Sequence, residues 1–344
     1  MLDIQSGSSP MTVIFFLLAF FVLPIVTPAL GNDSRSSGAD FPYSPKYIEV
    51  RGARMHYLES GSGDPILLLH GNPTSVYIWR NIIPLLAKQG RVIAVDLIGF
   101  GKSDKPDIDY RFSDHAAYLE GFIEEMGLRN ITLVMHDWGS ALGFDYASKH
   151  ENNVRAVAFF EALLVPLPGL DQWPNQTAAQ AFRLYRTPQV GWDLIVNENN
   201  FVDKRLQEGI IRRLSEDELK HYREPFLDRA ARKPVWRWPN ELPIAGEPAD
   251  VAAVQMHYLA WLQKTQIPKL LIFAHPGALT PEPIVAWAKT NLPKLQSVDI
   301  GNGIHNLQED HPEEIGQAIV NWMESFSSRI DRVEVMRATI VEMD

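Results

Sequence analysis

The sequence predicts an α/β fold: a mostly parallel, eight-stranded sheet with helices on both faces and one helical insertion. Eight short apolar runs alternate with stretches of helical periodicity, which is the pattern of parallel strands joined by helical crossovers. Residues 162–242 break this alternation with helical patterns and several prolines but no clear strand. Polar residues directly follow several strands, so they meet where parallel sheets bind ligands.

The first 45 residues are predicted to lie outside this fold. Residues 12–30 are nearly all apolar, and Ala29-Leu30-Gly31 fits the small-residue site that ends a signal peptide. A run of this length can also span a bilayer, so residues 1–31 are read as a signal peptide or membrane anchor. Residues 32–45 read as a flexible linker. We therefore expect a secreted, periplasmic or membrane-anchored protein that contacts a membrane only through residues 12–30.

The predicted elements follow in chain order. Residues 47–50 and 55–58 alternate like two antiparallel strands around a turn at Gly52. The remaining strands are predicted over 66–70, 91–96, 131–135, 154–160, 269–274 and 297–300. Helices are predicted over 79–89, 112–126, from Gly139 onward and over 313–326. The core thus comprises residues 46–161 and 243–326, with a helical cap over 162–242 and a tail over 327–344.

Composition excludes several classes of function. The formal charge is −10 and no basic run occurs, which argues against a nucleic acid as partner. There is no cysteine, so disulfides, thiolate catalysis and cysteine-based metal sites are excluded. His70 and His136 have no carboxylate beside them at metal-ligand spacing, so neither a metal nor a cofactor is predicted.

The turn after the fifth predicted strand carries the candidate nucleophile. An apolar run ends at His136-Asp-Trp-Gly139 and a small-residue helical stretch follows, which places Asp137 at the tip of a sharp strand–turn–helix. Asp137 could instead cap the helix. A carboxylate that attacks a saturated carbon gives an ester that water can hydrolyse, whereas a serine would give an inert ether. An aspartate here therefore indicates alkyl halides or epoxides as substrates.

Two further residues complete a candidate catalytic triad. His305 follows the last predicted strand and has the ionisation range of a general base for the hydrolytic water. The acid that orients such a histidine usually follows the penultimate strand, but no acid occurs there until Glu282. We therefore assign that role to Glu161, which ends the preceding strand.

Asn72 and Trp138 are the candidate groups for the leaving halide. An amide and an indole N–H donate hydrogen bonds without carrying charge, which suits a large, weakly hydrated anion. Their backbone N–H groups are placed to serve as the oxyanion hole for ester hydrolysis. Trp173, Phe182 and Leu279 are predicted to line an apolar substrate pocket, although ordinary cap packing explains them equally well.

Four stretches resemble the haloalkane dehalogenases of the α/β-hydrolase superfamily. They are His70-Gly-Asn-Pro73, His136-Asp-Trp-Gly-Ser140, Glu161 and Gly303-Ile-His-Asn-Leu-Gln-Glu309. His221-Tyr-Arg-Glu-Pro-Phe226 and the segment from Trp238 to Pro248 resemble the Rhodococcus-type enzyme, in the subfamily whose acid follows strand six. The resemblance implies Asp137 as nucleophile, His305 as base, Glu161 as acid and Asn72 with Trp138 as the halide pair. Substrate, water and halide ion are then the expected partners.

Three alternatives stay open at this stage. An epoxide hydrolase would use the same nucleophile with proton donors from the cap, for which Tyr185 and Tyr222 are available. A coelenterazine luciferase-like monooxygenase needs no cofactor and shares the same five residues. A non-catalytic binding protein of the hydrolase fold would give no reason to keep nucleophile, base and acid together.

Overall fold

An eight-stranded sheet forms the centre of the computed structural model, which describes residues 41–325. The strand order is β1-β2-β4-β3-β5-β6-β7-β8. Strand β2 runs antiparallel to β1 and to β4, and all other neighbours are parallel. The strands are β1 Lys46–Val50, β2 Ala53–Ser60, β3 Pro65–Leu69, β4 Arg91–Val95, β5 Ile131–Asp137, β6 Val154–Ala162, β7 Lys269–Pro276 and β8 Leu295–Gly303.

Helices follow most of the parallel strands. The helices are α1 Ile83–Leu86, α2 Phe112–Glu125, α3 Trp138–Lys149, α4 Gln176–Arg186, α5 Pro188–Trp192, α6 Leu206–Glu208, α7 Glu216–Arg223, α8 Lys233–Glu241, α9 Ala249–Leu262, α10 Glu282–Asn291, α11 Leu307–Asp310 and α12 over 312–325. Between β6 and α9, the described residues form helical turns, including π-helical turns over Asp193–Asn197 and Phe201–Arg205, and contribute no strand to the sheet.

Alternate side chains of the central strands enter two separate cores, one on each face of the sheet. In β3, Leu67 and Leu69 join the core beneath α2, α3 and α9, whereas Ile66 and Leu68 join the core beneath α1 and α12. Because successive side chains of a strand point to opposite faces, a strand buried on both faces must be apolar throughout. This explains the unbroken apolar runs in the sequence and confirms the predicted fold class.

Helix α9 is an element that the sequence analysis does not predict. Its buried positions Val251, Gln255, Tyr258 and Leu262 are spaced as one helical face, but apolar residues also occupy the other faces. No side chain caps its N-terminus at Pro248. The periodic signal and the start signal were therefore both weak.

Phe41, within the predicted linker, packs its ring 5.3 Å from that of Tyr77.

The expectation of a secreted or membrane-anchored protein is contradicted. Within residues 41–325, no helix combines the length and the apolar character needed to cross a bilayer. The apolar run over residues 12–30, on which that expectation rested, lies outside the described residues, as does the tail over 327–344.

Candidate active site

The turn between β5 and α3 holds Asp137 in a conformation that few residues adopt. Its backbone has φ +49° and ψ −127°, and its side chain caps no helical N–H. A Cβ at Gly139 would lie 2.3 Å from the carbonyl oxygen of Leu69, so the close approach of the two chain segments requires glycine there. A Cβ at Gly71 would lie 2.3 Å from the Asp137 carboxylate. The surrounding chain therefore fixes where the carboxylate lies, and the helix-cap interpretation has no support.

The Asp137 carboxylate is nearly buried and is approached by two backbone N–H groups. Oδ2 accepts a hydrogen bond of 2.9 Å from the backbone nitrogen of Asn72, and the backbone N–H of Trp138 lies near enough to the carboxylate to lower its pKa. Burial raises the pKa of Asp137 above its usual value, although nearby His305 and these two donors oppose the rise. The two backbone donors predicted for an oxyanion hole thus meet at the candidate nucleophile.

His305 lies between two carboxylates. Its Nδ1 is 3.1 Å from Oε2 of Glu161, and its Nε2 is 3.9 Å from Oδ1 of Asp137. Burial alone would lower the pKa of His305, but the hydrogen bond to Glu161 and the charges of Asp137 and Glu161 outweigh it and raise the pKa. The 3.9 Å separation is too long for a hydrogen bond, so Nε2 can act on a water instead of on the carboxylate.

The loop that carries His305 is held by two groups from elsewhere in the chain. The His305 backbone nitrogen donates to the carbonyl oxygen of Gly209, at 3.0 Å. Nε2 of the buried His136 lies 2.9 Å from the His305 carbonyl oxygen, so His136 donates there. His136 therefore supports the loop from beneath, through its side chain.

Glu161 is fully buried, and every oxygen of its carboxylate is hydrogen-bonded. Oε2 accepts from the backbone nitrogens of Ala278 (2.9 Å) and Leu279 (2.8 Å) and from His305. Oε1 accepts from the backbone nitrogen (3.3 Å) and hydroxyl (3.0 Å) of Thr280. The loop after β7, where such an acid usually lies, thus supplies donors to an acid that lies on β6. The sequence could not show these donors because they are mostly backbone groups.

Asn72 and Trp138 are both held by helix α8. Nδ2 of Asn72 donates one hydrogen to the carbonyl oxygen of Val235 at 3.2 Å, and an amide nitrogen carries a second. The Trp138 indole is stacked on that of Trp238, with centroids 4.2 Å apart and planes at 23°. Asn72 is thus tied to Asp137 by its backbone and to α8 by its side chain.

The three residues predicted for the pocket wall are only partly brought together. The rings of Trp173 and Phe182 lie 5.2 Å apart and both are half-buried. Leu279 lies in the loop that wraps Glu161, and its side chain packs against the same core cluster as the two rings. Arg205, which the sequence analysis passed over, lies 5.9 Å above the Phe182 ring and its charge opposes the rise in the His305 pKa.

A buried ion cluster also escaped the sequence analysis. Arg80 donates to both oxygens of Glu309, at 2.6 and 2.8 Å, and to Glu218 at 3.0 Å. Arg212 bonds to both glutamates, and the Tyr222 hydroxyl donates to Glu309. Glu309 lies on α11, directly after His305, so this cluster anchors that loop. Within residues 41–325, no three histidines or acids are grouped to hold a metal.

Comparison with known proteins defines first the class and then the family. The sequence model of the alpha/beta hydrolase fold family matches residues 64–312. The chain is 46% identical over 284 residues to a haloalkane dehalogenase of Sphingobium indicum, covering 81% of this chain and 94% of that protein. It is 44% identical over 277 residues to a haloalkane dehalogenase of Mesorhizobium japonicum, covering 80% and 90%.

A solved structure agrees with these relatives. The crystal structure of a haloalkane dehalogenase from Bradyrhizobium elkani has a TM-score of 0.81 and 43% identity, covering 83% of this chain and 99% of that one. The chain belongs to the haloalkane dehalogenases, hydrolases that act on carbon–halogen bonds. The resemblance stated from the sequence is therefore confirmed.

Proposed function

We propose that Asp137, His305 and Glu161 carry out hydrolytic dehalogenation through an ester on Asp137. The Asp137 carboxylate attacks the carbon that bears the halogen; a C–O bond forms, and the C–halogen bond breaks with its electron pair leaving on the halide. His305 then takes a proton from water, whose oxygen attacks the carboxyl carbon of the ester. The imidazolium returns its proton to the departing alkoxide and the Asp137 carboxylic acid loses its proton, so that haloalkane and water give alcohol, halide and a proton.

The observation that carries this proposal is the placement of His305. One ring nitrogen is hydrogen-bonded to Glu161 and the other faces Asp137 across 3.9 Å, which is the order required of orienter, base and nucleophile. Glu161 stabilises the imidazolium that forms when the base takes its proton. The negative potential that raises the pKa of His305 supports the same assignment.

Asn72 and Trp138 are proposed to stabilise the departing halide. The second amide hydrogen of Asn72 and the Trp138 indole N–H are uncharged donors, and preorganised donors of this kind lower the energy of developing negative charge. Trp173, Phe182 and Leu279 are proposed for the apolar wall of the substrate site. We also propose residues 162–242 as a cap over a core of 46–161 and 243–326, because the segment after Ala162 adds no strand to the sheet while contacting the His305 loop through Gly209.

The other activities considered from the sequence are not favoured by the relatives. The structure also weakens the epoxide reading at its proton donors. The Tyr222 hydroxyl is fully buried and donates to Glu309, and the Tyr185 hydroxyl donates to Asn200 at 3.1 Å. Neither phenol is therefore placed to meet an alkoxide in this arrangement.

Bromide release from 1,2-dibromoethane tests the activity directly. The Asp137→Ala variant should release no bromide, because no oxygen is left to attack the carbon. The His305→Ala variant should release one bromide per chain and then stop, and its mass should rise by the alkyl group carried on Asp137. Turnover of His305→Ala at the wild-type rate would refute its role as base.

A further inference from the structure

Helix α8 contacts both side chains proposed to bind the halide. Its buried residues Val235 and Trp238 are three positions apart and so share one face of the helix. The Val235 carbonyl accepts from the Asn72 side chain, and the Trp238 indole is stacked on that of Trp138. One short helix therefore touches two residues that lie far apart in sequence.

Trp238 is itself held by a second aromatic ring. The His115 ring is stacked on it, with centroids 4.2 Å apart and planes at 23°, so Trp238 stacks with both His115 and Trp138. Both nitrogens of His115 and the indole nitrogen of Trp238 are buried and have no hydrogen-bond partner among residues 41–325. Burial lowers the pKa of His115 to about 3, so the ring is neutral at physiological pH. Ring packing, and not hydrogen bonding, therefore fixes the plane of Trp238.

The C-terminal end of α8 also supports the Trp138 indole, through Phe112. The buried Glu241 accepts from the backbone nitrogen of Phe112 at 3.0 Å and from Nε of Arg111 at 3.2 Å. The Phe112 ring lies 6.3 Å from that of Trp138. Trp138 is thus bordered on one side by a ring that α8 supplies and on another by a ring whose backbone α8 holds.

We propose that Trp238 is a positioning residue for halide departure: it sets the plane of the Trp138 indole and hence the direction of its N–H. This inference rests on the proposed function, in which Trp138 donates to the halide. Trp238 would then affect the step in which the C–halogen bond breaks. It would leave ester hydrolysis unchanged, because that step depends on His305, Glu161 and backbone N–H groups, whereas Trp238 contacts the side chain of Trp138.

The test uses Trp238→Leu, which removes the stack, and Trp238→Phe, which keeps a smaller aromatic ring. Trp236→Leu is the matched control, since Trp236 lies on the same helix but packs against Trp192, with ring centroids 5.1 Å apart. Each substitution is combined with His305→Ala, and the rate at which 1,2-dibromoethane adds mass to Asp137 gives the displacement step alone. Calorimetric titration with bromide gives halide affinity, and ester hydrolysis is followed by rapid quench with His305 intact.

We expect Trp238→Leu to slow displacement and to weaken bromide binding, each by about tenfold, or about 1.4 kcal/mol, which is within what an aromatic pair contributes beyond its buried area. Trp238→Phe, which keeps a smaller ring in the stack, should slow displacement by about threefold. Ester hydrolysis in both, and displacement in Trp236→Leu, should match the wild type. Should Trp238→Leu not fold, as judged by thermal unfolding, Trp238→Phe carries the test through a loss confined to displacement.

Wild-type displacement and bromide affinity in the Trp238 variants would overturn the inference, as would an equal loss in Trp236→Leu or a loss shared with hydrolysis. The Trp138→Phe variant tests the proposed function separately. If it binds bromide and undergoes displacement as the wild type does, Trp138 does not donate a hydrogen bond to the halide. A Trp138 effect without a Trp238 effect would therefore reject the positioning role alone.

Discussion

Replacing Glu161 with glutamine tests whether its carboxylate orients and stabilises His305. The carboxylate accepts five hydrogen bonds, three on Oε2 and two on Oε1. A glutamine amide can replace only one carboxylate oxygen as an acceptor. Its NH2 group is a donor, and it would face the N–H or O–H groups that donated to the other oxygen. The less costly orientation turns the nitrogen toward Thr280, whose hydroxyl can rotate to accept. The backbone N–H of Thr280 is then left without a partner.

The loss of stability follows from that count. One buried N–H left unpaired costs about 1–3 kcal/mol, and exchanging a charged acceptor for a neutral one at His305 costs about 1 kcal/mol more. We therefore expect Glu161→Gln to lower the free energy of unfolding by about 2–4 kcal/mol, from these two contributions. In catalysis, the imidazolium loses its counter-charge, and the matching change in a serine-protease triad slows turnover by about 10⁴-fold.

Two measurements separate the stability effect from the catalytic one. Urea unfolding gives the free energy, and rapid quench with 1,2-dibromoethane gives the rates of ester formation and ester hydrolysis. The control is Glu282→Gln, since Glu282 is exposed and is the first acid along the chain after β7. The reasoning is refuted if Glu161→Gln hydrolyses the ester at the wild-type rate, or if Glu282→Gln is the variant that loses hydrolysis.

Three further predictions follow from the same structure. Because its neighbouring carboxylates raise the pKa of His305, the imidazole should titrate above about 6.5 by NMR. The stability that His305 contributes should be complete below the unfolded pKa of about 6.5 and be lost as the pH rises through the folded pKa. A titration midpoint below about 6.5 would contradict this prediction. Gly139→Ala should abolish bromide release and lower the free energy of unfolding by about 1–3 kcal/mol, measured in urea, because the added methyl group overpacks against Leu69. A fully active variant would show that the turn can accommodate a methyl group. Glu309→Gln should cost about 3–5 kcal/mol by leaving buried arginine charge uncompensated, whereas exposed Glu216→Gln should cost under about 1 kcal/mol.

The buried ion cluster supports the His305 loop, whereas helix α8 supports Asn72 and Trp138. Glu309 is fixed by Arg80 from the core and by Arg212 from the segment between β6 and α9, so the His305 loop is tied to both. Helix α8 supports the opposite side, where Asn72 and Trp138 lie. A perturbation of the cluster should therefore act on ester hydrolysis, whereas one of α8 should act on displacement.

The sequence by itself determined the order of the eight strands and which polar residues lie at or near their carboxyl ends. Runs such as residues 66–70 are apolar at every position because both faces of the sheet are covered, so they could be recognised without coordinates. Because the carboxyl ends of parallel strands meet at one edge of the sheet, the sequence also placed Asp137, Glu161 and His305 together. The absence of an acid after the seventh strand indicated Glu161 as the third residue. Their roles remain predictions, but their proximity is now observed.

Only the tertiary structure decided how those side chains are held. The backbone donors of 278–280 that surround Glu161 leave no mark on the sequence, because any non-proline residue supplies an N–H. The contacts of Asn72 with Val235 and of Arg80 with Glu309 join residues 163 and 229 positions apart. Such pairings follow from how helices pack on the sheet, which local periodicity does not encode, and so the positioning role of Trp238 emerged only from the folded chain.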